Sequence, residues 1–397
     1  MGAGEGGPRV SAPEVVVVGG GVVGASVALH LAERGVRVRV LERGAVPGEG
    51  STGRATGGFR AQFATEVNVR LSLLARETLR SFRERTGVDP GYEPVGYLWL
   101  ARSAPVLETL RAAQRVQRAA GLTEAVELDR EGIRAVNPGV VTDDVLAAAW
   151  CPTDGYVRPL EVLRGFTEAA RRQGAVFTYG AEVVAVERSG ERLTALRTRA
   201  GETVACGAVV NAAGAWAGAL GALAGTAVPV APLRRQVAMT VPTDALPPDV
   251  PMTIVADDGF HLRAREGRAL YAWPTAGDPV DPWSCAVEPA WVAEAARKAG
   301  ERVPALAGVP VDPARCWAGL YELSPDKLSI LGRAPGLTNL WLANGSSGHG
   351  VMHSPALGRL LAELMVEGRA TSIDPAVLRA LRPERFDEEP VVVREIL

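Results

Sequence analysis

Residues Val15 to Glu42 read VVVVGGGVVGASVALHLAERGVRVRVLE, and this stretch decides the fold. Four consecutive valines suit a strand buried on both faces, because β-branched side chains pack well on a pleated surface. Gly19, Gly21 and Gly24 follow in G-x-G-x-x-G spacing and open into a helix-period segment that ends near Gly35. A second strand, Val36 to Leu41, closes on Glu42. Each part has a physical task. Gly19 permits the tight turn, Gly21 lets the backbone approach a pyrophosphate, and Gly24 lets the helix pack closely on the strand. The phosphates belong at the helix N-terminus, where unpaired N–H groups and the helix dipole favour an anion. Glu42 suits the ribose hydroxyls, and its charge repels an added 2′-phosphate, which argues against NADP. Strand, turn, helix, strand and terminal acid in this order predict dinucleotide binding. The motif does not separate FAD from NAD.

A chain of 397 residues is long for one core, so two domains are expected. The net charge is −2 with both signs interspersed, which gives no electrostatic basis for nucleic-acid binding. Cys151, Cys206, Cys285 and Cys316 are widely separated and form no C-x-x-C, so neither a metal site nor a redox dithiol is expected. The first residues, MGAGEGGPRVSAP, are too polar for a secretory segment, and a reduced, cytoplasmic protein is the simplest expectation. Thr203 to Leu233 carries no charge and is long enough to span a bilayer. It is mostly Gly and Ala, with Asn211 and two prolines, and lacks a sustained Leu/Ile/Phe run. It reads as a strand at Ala208–Asn211, a tight turn, a small helix and another strand, without a membrane span.

Along the rest of the chain, Gly48 to Phe63 reads as an extended loop and Ala64 to Arg85 as a helix. Helices are predicted at Pro105–Ala120, Asp129–Val136, Pro159–Gln173 and Pro289–Lys298, and strands at Tyr92–Arg102 and Val145–Trp150. Val176 to Arg199 predicts a strand and a hairpin, and Val228 to Trp273 an antiparallel sheet. Leu340–Ala343 runs as a strand into NGSSGHG, ahead of a helix at Ser354–Glu367 with Pro355 at its start. Asn344 to Gly350 is therefore a Gly/Ser turn between strand and helix, an anion-friendly nest. The last residues, Val391 to Leu397, read as a loose or neighbour-seeking tail.

Four blocks carry a family resemblance: the fingerprint, STGRATGGFRAQF (Ser51 to Phe63), GLYELSPDKLSILG (Gly319 to Gly332) and NGSSGHGVMHSPALGRLLAEL (Asn344 to Leu364). In them the chain resembles the FAD-dependent amino-acid oxidoreductases related to D-amino-acid oxidase, glycine oxidase and sarcosine oxidase. It looks most like the β-subunits of heterotetrameric sarcosine oxidase and of archaeal-type L-proline dehydrogenase. The resemblance implies an α/β protein, with a Rossmann-type FAD-binding domain and a second, antiparallel-sheet substrate domain that roofs the isoalloxazine. The FAD domain is expected to be discontinuous, at 14–90, 151–222 and 319–385. The substrate domain would hold 91–150 and 223–318, leaving tails at 1–13 and 386–397. The matching positions imply FAD contacts at Gly19, Gly21, Gly24, Glu42, Arg43, Ser51, Thr52, Arg54, Gly57 and Gly58. The Val183 and Val184 backbone would meet the adenine, and Ala213 and Gly214 the pyrophosphate. Ser346, Ser347, Gly348, His349, Gly350, Val351 and Met352 would line the flavin's pyrimidine end.

Departures from the family are as informative. Gly319 stands where monomeric sarcosine oxidase attaches its flavin through cysteine, and Cys316 lies three residues earlier. Pro159 stands where the heterotetrameric β-subunit carries its FMN-linking histidine, so the FAD is expected to be non-covalent. Tyr321 replaces glycine oxidase's carboxylate-binding arginine, and Met352 replaces a lysine of monomeric sarcosine oxidase. A substrate carboxylate must then find another cation, and Arg60, Arg235, Arg263 and Lys327 are the candidates. Tyr321, His261 and His349 are the candidate catalytic side chains and Met352 a further substrate contact, while His30 and His353 read as structural. The expected function is oxidation of the C–N bond of a small amino acid, preferably a secondary amine of the sarcosine, dimethylglycine (its tertiary relative) or proline type. Electrons would pass to oxygen or to a partner subunit, and an oligomer is possible. The alternatives are a glycine or D-amino-acid oxidase, or an FAD-bearing electron-transfer or assembly subunit with no substrate of its own.

Overall fold

A computed structural model describes residues 15–274 and 283–387; the expected N-terminal tail and the segment Val391–Leu397 lie outside the described residues. The opening stretch folds as its pattern demands. Strand β1 (Val15–Val18) is buried throughout, helix α1 spans Val22–Ala32, and strand β2 spans Val38–Leu41. A six-stranded sheet forms around β1 in the order Ile330–Arg333, Leu340–Asn344, Ala208–Asn211, β1, β2, Val176–Thr178. Every neighbouring pair is parallel except the first. Parallel strands need helices on their faces, and these leave α1 no wet side. All of its residues are buried, between helix Pro159–Arg172 and the C-terminal helix Gly350–Val366. Contact with the latter depends on Gly358, where a Cβ would collide with Ser26.

The second sheet has eight strands: Trp317–Leu323, Ala231–Met239, Arg268–Ala272, His261–Arg265, Met252–Val255, Tyr97–Ala101, Ala147–Cys151 and Val126–Leu128. It is antiparallel as expected, except that Met252–Val255 runs parallel to Tyr97–Ala101. One face packs on helix Pro289–Arg302 through Ala238, Leu262, Tyr271, Trp291 and Ala295. The other face roofs a cavity against the six-stranded sheet. Among the described residues no helix is long and apolar enough to cross a membrane. The charge-free stretch after Thr203 forms the strand, turn, short helix and strand read from its sequence.

Four sequence expectations need correction. Gly48–Phe63 is not wholly extended: Ser51–Arg54 makes a 3₁₀ turn, and Gly58–Phe59 pairs with Gly155–Tyr156. The helix expected over Ala64–Arg85 breaks at Ser81 into Glu66–Arg80 and Phe82–Thr86. The boundary expected between 318 and 319 falls inside strand Trp317–Leu323, which pairs with Ala231–Met239 of the second sheet along its length. Finally, the last helix begins at Gly350 rather than Ser354, so Pro355 lies inside it. Pro355 has no N–H for the Val351 carbonyl, and the Ser354 hydroxyl donates to that oxygen instead, at 2.9 Å.

Candidate active site

Between the two sheets lies a cavity of about 690 Å³, and the fingerprint forms one end of it. Gly19 has φ 109°, and a Cβ there would collide with the Ala212 carbonyl. Gly19 and Gly21 line the cavity at the N-terminus of α1. Gly24 does not reach it; a Cβ at Gly24 would strike the Gly19 carbonyl, so its task is helix-on-strand packing. Glu42 ends β2 with both carboxylate oxygens fixed, accepting from Gly20 N–H and Gly44 N–H at 2.7 Å each. Arg43 stacks 3.5 Å over the ring of Trp216, a cavity residue that sequence reasoning missed. Val183, Ala213 and Gly214 complete this end, whereas Val184 lies off the wall.

The Ser51–Arg54 turn joins α1 to the roof. Thr52 Oγ1 accepts from Val22 N–H at 3.1 Å, in the first turn of α1. Ser51 donates its hydroxyl to the Leu320 carbonyl at 2.6 Å, and Arg54 donates to the Ala318 carbonyl at 2.9 Å. All three line the cavity, as do Gly57 and Gly58. Ser51, expected as an FAD contact, thus commits its proton to the roof strand, leaving only its oxygen lone pairs for a ligand.

Strand register decides which roof residues look down. Directly opposed residues share a face and alternate residues repeat it. Tyr97 opposes Met252, Ile254 opposes His261, His261 opposes Ala272, and Ala272 opposes Val237. Arg235 opposes Gly319, and Leu233 opposes Tyr321. His261, Arg235 and Tyr321 therefore share the face that lines the cavity. The Arg235 guanidinium sits 5.6 Å from the Tyr321 ring centroid and donates only to its neighbour's carbonyl, Arg234 O, at 3.3 Å. No acidic side chain pairs with it among the described residues. His261 Nδ1 lies 2.9 Å from the Gly259 carbonyl. Burial lowers the ring's pKa, as do the charges of Arg60 and Arg235, against the opposing effect of the Gly259 bond. Arg263 is directed away, onto the Tyr156 ring at 3.3 Å and the Thr56 carbonyl at 3.0 Å.

At the far end, the C-terminal helix points its first turn at the cavity. Gly350, Val351 and Met352 line it, and the first N–H groups of a helix have no acceptor within the helix. His349 occupies the N-cap position. Its Nε2 lies 3.1 Å from Arg60 Nη2 and must accept, because a guanidinium only donates. Burial, followed by the charge of Arg60, holds the His349 ring well below its usual pKa and therefore neutral. Arg60 is buried between Phe63, 3.8 Å away, and Trp99, and also donates to Gln62 O. Its segment is anchored by Asp154, a fully buried carboxylate that accepts from Ala61 N–H at 2.7 Å. Burial pushes Asp154 up to about 6. Lys327 and Ser347, both at positive φ, and Gly348 also line this end. Ser346 does not reach the wall, and its buried hydroxyl has no partner. Glu322, which sequence reasoning missed, accepts from Ser346 N–H at 3.2 Å, and burial raises its carboxyl pKa. The two histidines read as structural are so: His30 is buried beside Glu33 and Arg85, and His353 is buried on Ser72 at 2.9 Å.

A fingerprint glycine turn, an acid at the end of the second strand and a second helix N-terminus opening on one cavity have the form of a dinucleotide-binding site. Residues 14–364 match the family model described as "DAO: FAD dependent oxidoreductase", and the chain belongs to that family of FAD-dependent enzymes. It is 31% identical to FAD-dependent oxidoreductase domain-containing protein 1 of Bos taurus, over 91% of this chain and 82% of that protein. It is 30% identical to glycine oxidase of Geobacillus kaustophilus, over 91% of this chain and 95% of that one. The solved structure of L-proline dehydrogenase from P. horikoshii superposes with a TM-score of 0.88 at 30% identity, over 96% of this chain and 99% of that one. The residues present fit FAD. The turn admits no Cβ at Gly19, and two helix N-termini face the cavity.

Proposed function

We propose that the chain oxidises the C–N bond of a small amino acid, preferably a secondary amine of the sarcosine or proline type or its tertiary relative dimethylglycine. Arg235 carries this reading: a charged guanidinium under the roof, beside the Tyr321 ring, with no acidic partner among the described residues. Such a group is suited to a substrate carboxylate. Tyr321 in place of arginine leaves one clamp rather than two on this strand pair, with space for an N-substituent or ring carbon. Arg60 and His349 form a fixed, neutral-accepting pair at the cavity's other side and hold the segment on which Met352 meets the substrate. Bound FAD supplies the two-electron acceptor, and the product is an imine that leaves to hydrolyse or cyclise. The protein's part is orientation of the α-C–H and exclusion of water. The FAD is held non-covalently: Gly319 has no side chain, and Cys316 turns away to the Asp312 carbonyl at 3.4 Å.

Arg235→Met tests the assignment. It should raise the substrate dissociation constant by 10²-fold or more, roughly the 3 kcal/mol of a charge-assisted bond, and change the limiting rate of flavin reduction far less. Unchanged substrate affinity in this variant would remove the basis of the reading.

A further inference from the structure

His261 has an orientation that the carboxylate clamp does not use. A carbonyl oxygen can only accept, so the 2.9 Å contact with Gly259 O places the ring hydrogen on Nδ1. In the neutral ring Nε2 is then a bare acceptor, on the roof face that lines the cavity. The charges acting on the ring are the guanidiniums of Arg60 and Arg235. The acids of the preceding turn are engaged elsewhere: Asp258 pairs with Lys298 at 2.6 Å, and Asp257 accepts from Arg102 N–H at 2.8 Å. His349, across the cavity, is occupied by Arg60. Of the groups an amino acid presents, a bare Nε2 between two cations can meet only one, the amine.

We propose that His261 Nε2 receives the substrate's amine hydrogen, seating the nitrogen under strand His261–Arg265 while the carboxylate lies on Arg235, and takes the ammonium proton before the C–N bond is oxidised. This rests on the amino-acid reading of the site. In the transfer an ammonium N–H bond breaks, its electron pair stays on nitrogen as the lone pair, and a new N–H bond forms at Nε2. The imidazolium keeps its Nδ1–H on the Gly259 carbonyl. Carboxylate binding favours the step, because it neutralises Arg235, one of the two charges that make the ring a weak base. The ring becomes an effective acceptor only when substrate is seated, and the neutral amine is the form able to release hydride.

Two planar acids test this without turnover. Pyrrole-2-carboxylate presents an N–H where furan-2-carboxylate presents an oxygen, and each can be titrated into the holoenzyme by the perturbation of flavin absorbance. The wild type should bind the pyrrole acid more tightly by roughly fivefold, the worth of one hydrogen bond. His261→Phe should abolish that preference, and His261→Gln, which retains an acceptor, should keep it. Arg235→Met should weaken both acids equally. With an amino acid that reduces the flavin, His261→Gln should also move the pH dependence of anaerobic reduction alkaline by about one unit, because glutamine cannot hold the proton. A pyrrole preference that survives in His261→Phe overturns the assignment. Failure of both acids to bind the wild type overturns the amino-acid reading, and this assignment with it.

Discussion

At the residue scale, two carboxylates held by backbone N–H groups do opposite work. Glu42 is fixed by two backbone N–H groups at 2.7 Å at the cavity end of β2. Its place on the cavity wall was legible, because a terminal acid after the second strand of a fingerprint lies beside the glycine turn. Glu42→Ala removes the acceptor of the Gly20 and Gly44 N–H groups and loosens the glycine turn, so FAD affinity should fall at least tenfold, by about 1.4 kcal/mol or more, as read from flavin retained on dialysis. Asp154 was not legible: nothing local marks a lone aspartate that will reach back to the Ala61 and Gln62 backbone. Its raised pKa of about 6 means that the fold favours its protonated form. The corresponding stability is present in full below the unfolded-state value near 3.8 and is lost as pH rises through 6. At 1.36 kcal/mol per pH unit this amounts to about 3 kcal/mol. Asp154→Asn should therefore show a flatter stability profile between pH 4 and 6 than the wild type, measured by denaturant unfolding. Parallel profiles would show that Asp154 does not titrate in that window.

At the element scale, periodicity located most helices and strands but misplaced the start of the one that matters most. GVMHSP reads as non-helical because it combines Gly350, a β-branched Val351 and Pro355 within six residues. The Ser354 hydroxyl supplies the bond that Pro355 cannot make, and the helix gains a full turn toward the cavity. That turn is where Gly350, Val351 and Met352 meet the ligand space. The roof was legible as strands and not as a surface. Which side chains face the cavity depends on register across six strands, and register is a property of the sheet, not of any one segment. Arg235, His261 and Tyr321 were legible as residue types; their shared face was not. Glu322, next to Tyr321 and also on the cavity wall, was passed over for the same reason. Helix contact has a sharp test at Gly358. Gly358→Ala places a methyl on Ser26 and should cost about 1–3 kcal/mol by overpacking. Because α1 and the C-terminal helix both end at the cavity, the same variant should also retain less FAD; full retention would separate helix packing from the site.

At the scale of the whole molecule, the chain crosses repeatedly between its two sheets. The six-stranded sheet draws on residues near 15–41, 176–211 and 330–344, and the roof on 97–151, 231–272 and 317–323. The cavity therefore collects its walls from nearly the full length of the described chain, and the fingerprint is the one part of the dinucleotide end that a single stretch supplies. This is why the cofactor class could be read from one stretch while the substrate end needed assembly. Division of labour follows the same line: the parallel sheet presents helix N-termini to an anionic cofactor, and the antiparallel sheet presents Arg235, Tyr321 and His261 to whatever lies beneath it. The most direct measurement is anaerobic mixing of the purified flavoprotein with sarcosine, L-proline, glycine and D-alanine, followed by flavin absorbance. Bleaching by a secondary amine, with glycine and D-alanine slower or inert, is the expected result; bleaching by glycine or D-alanine but by neither secondary amine would contradict it.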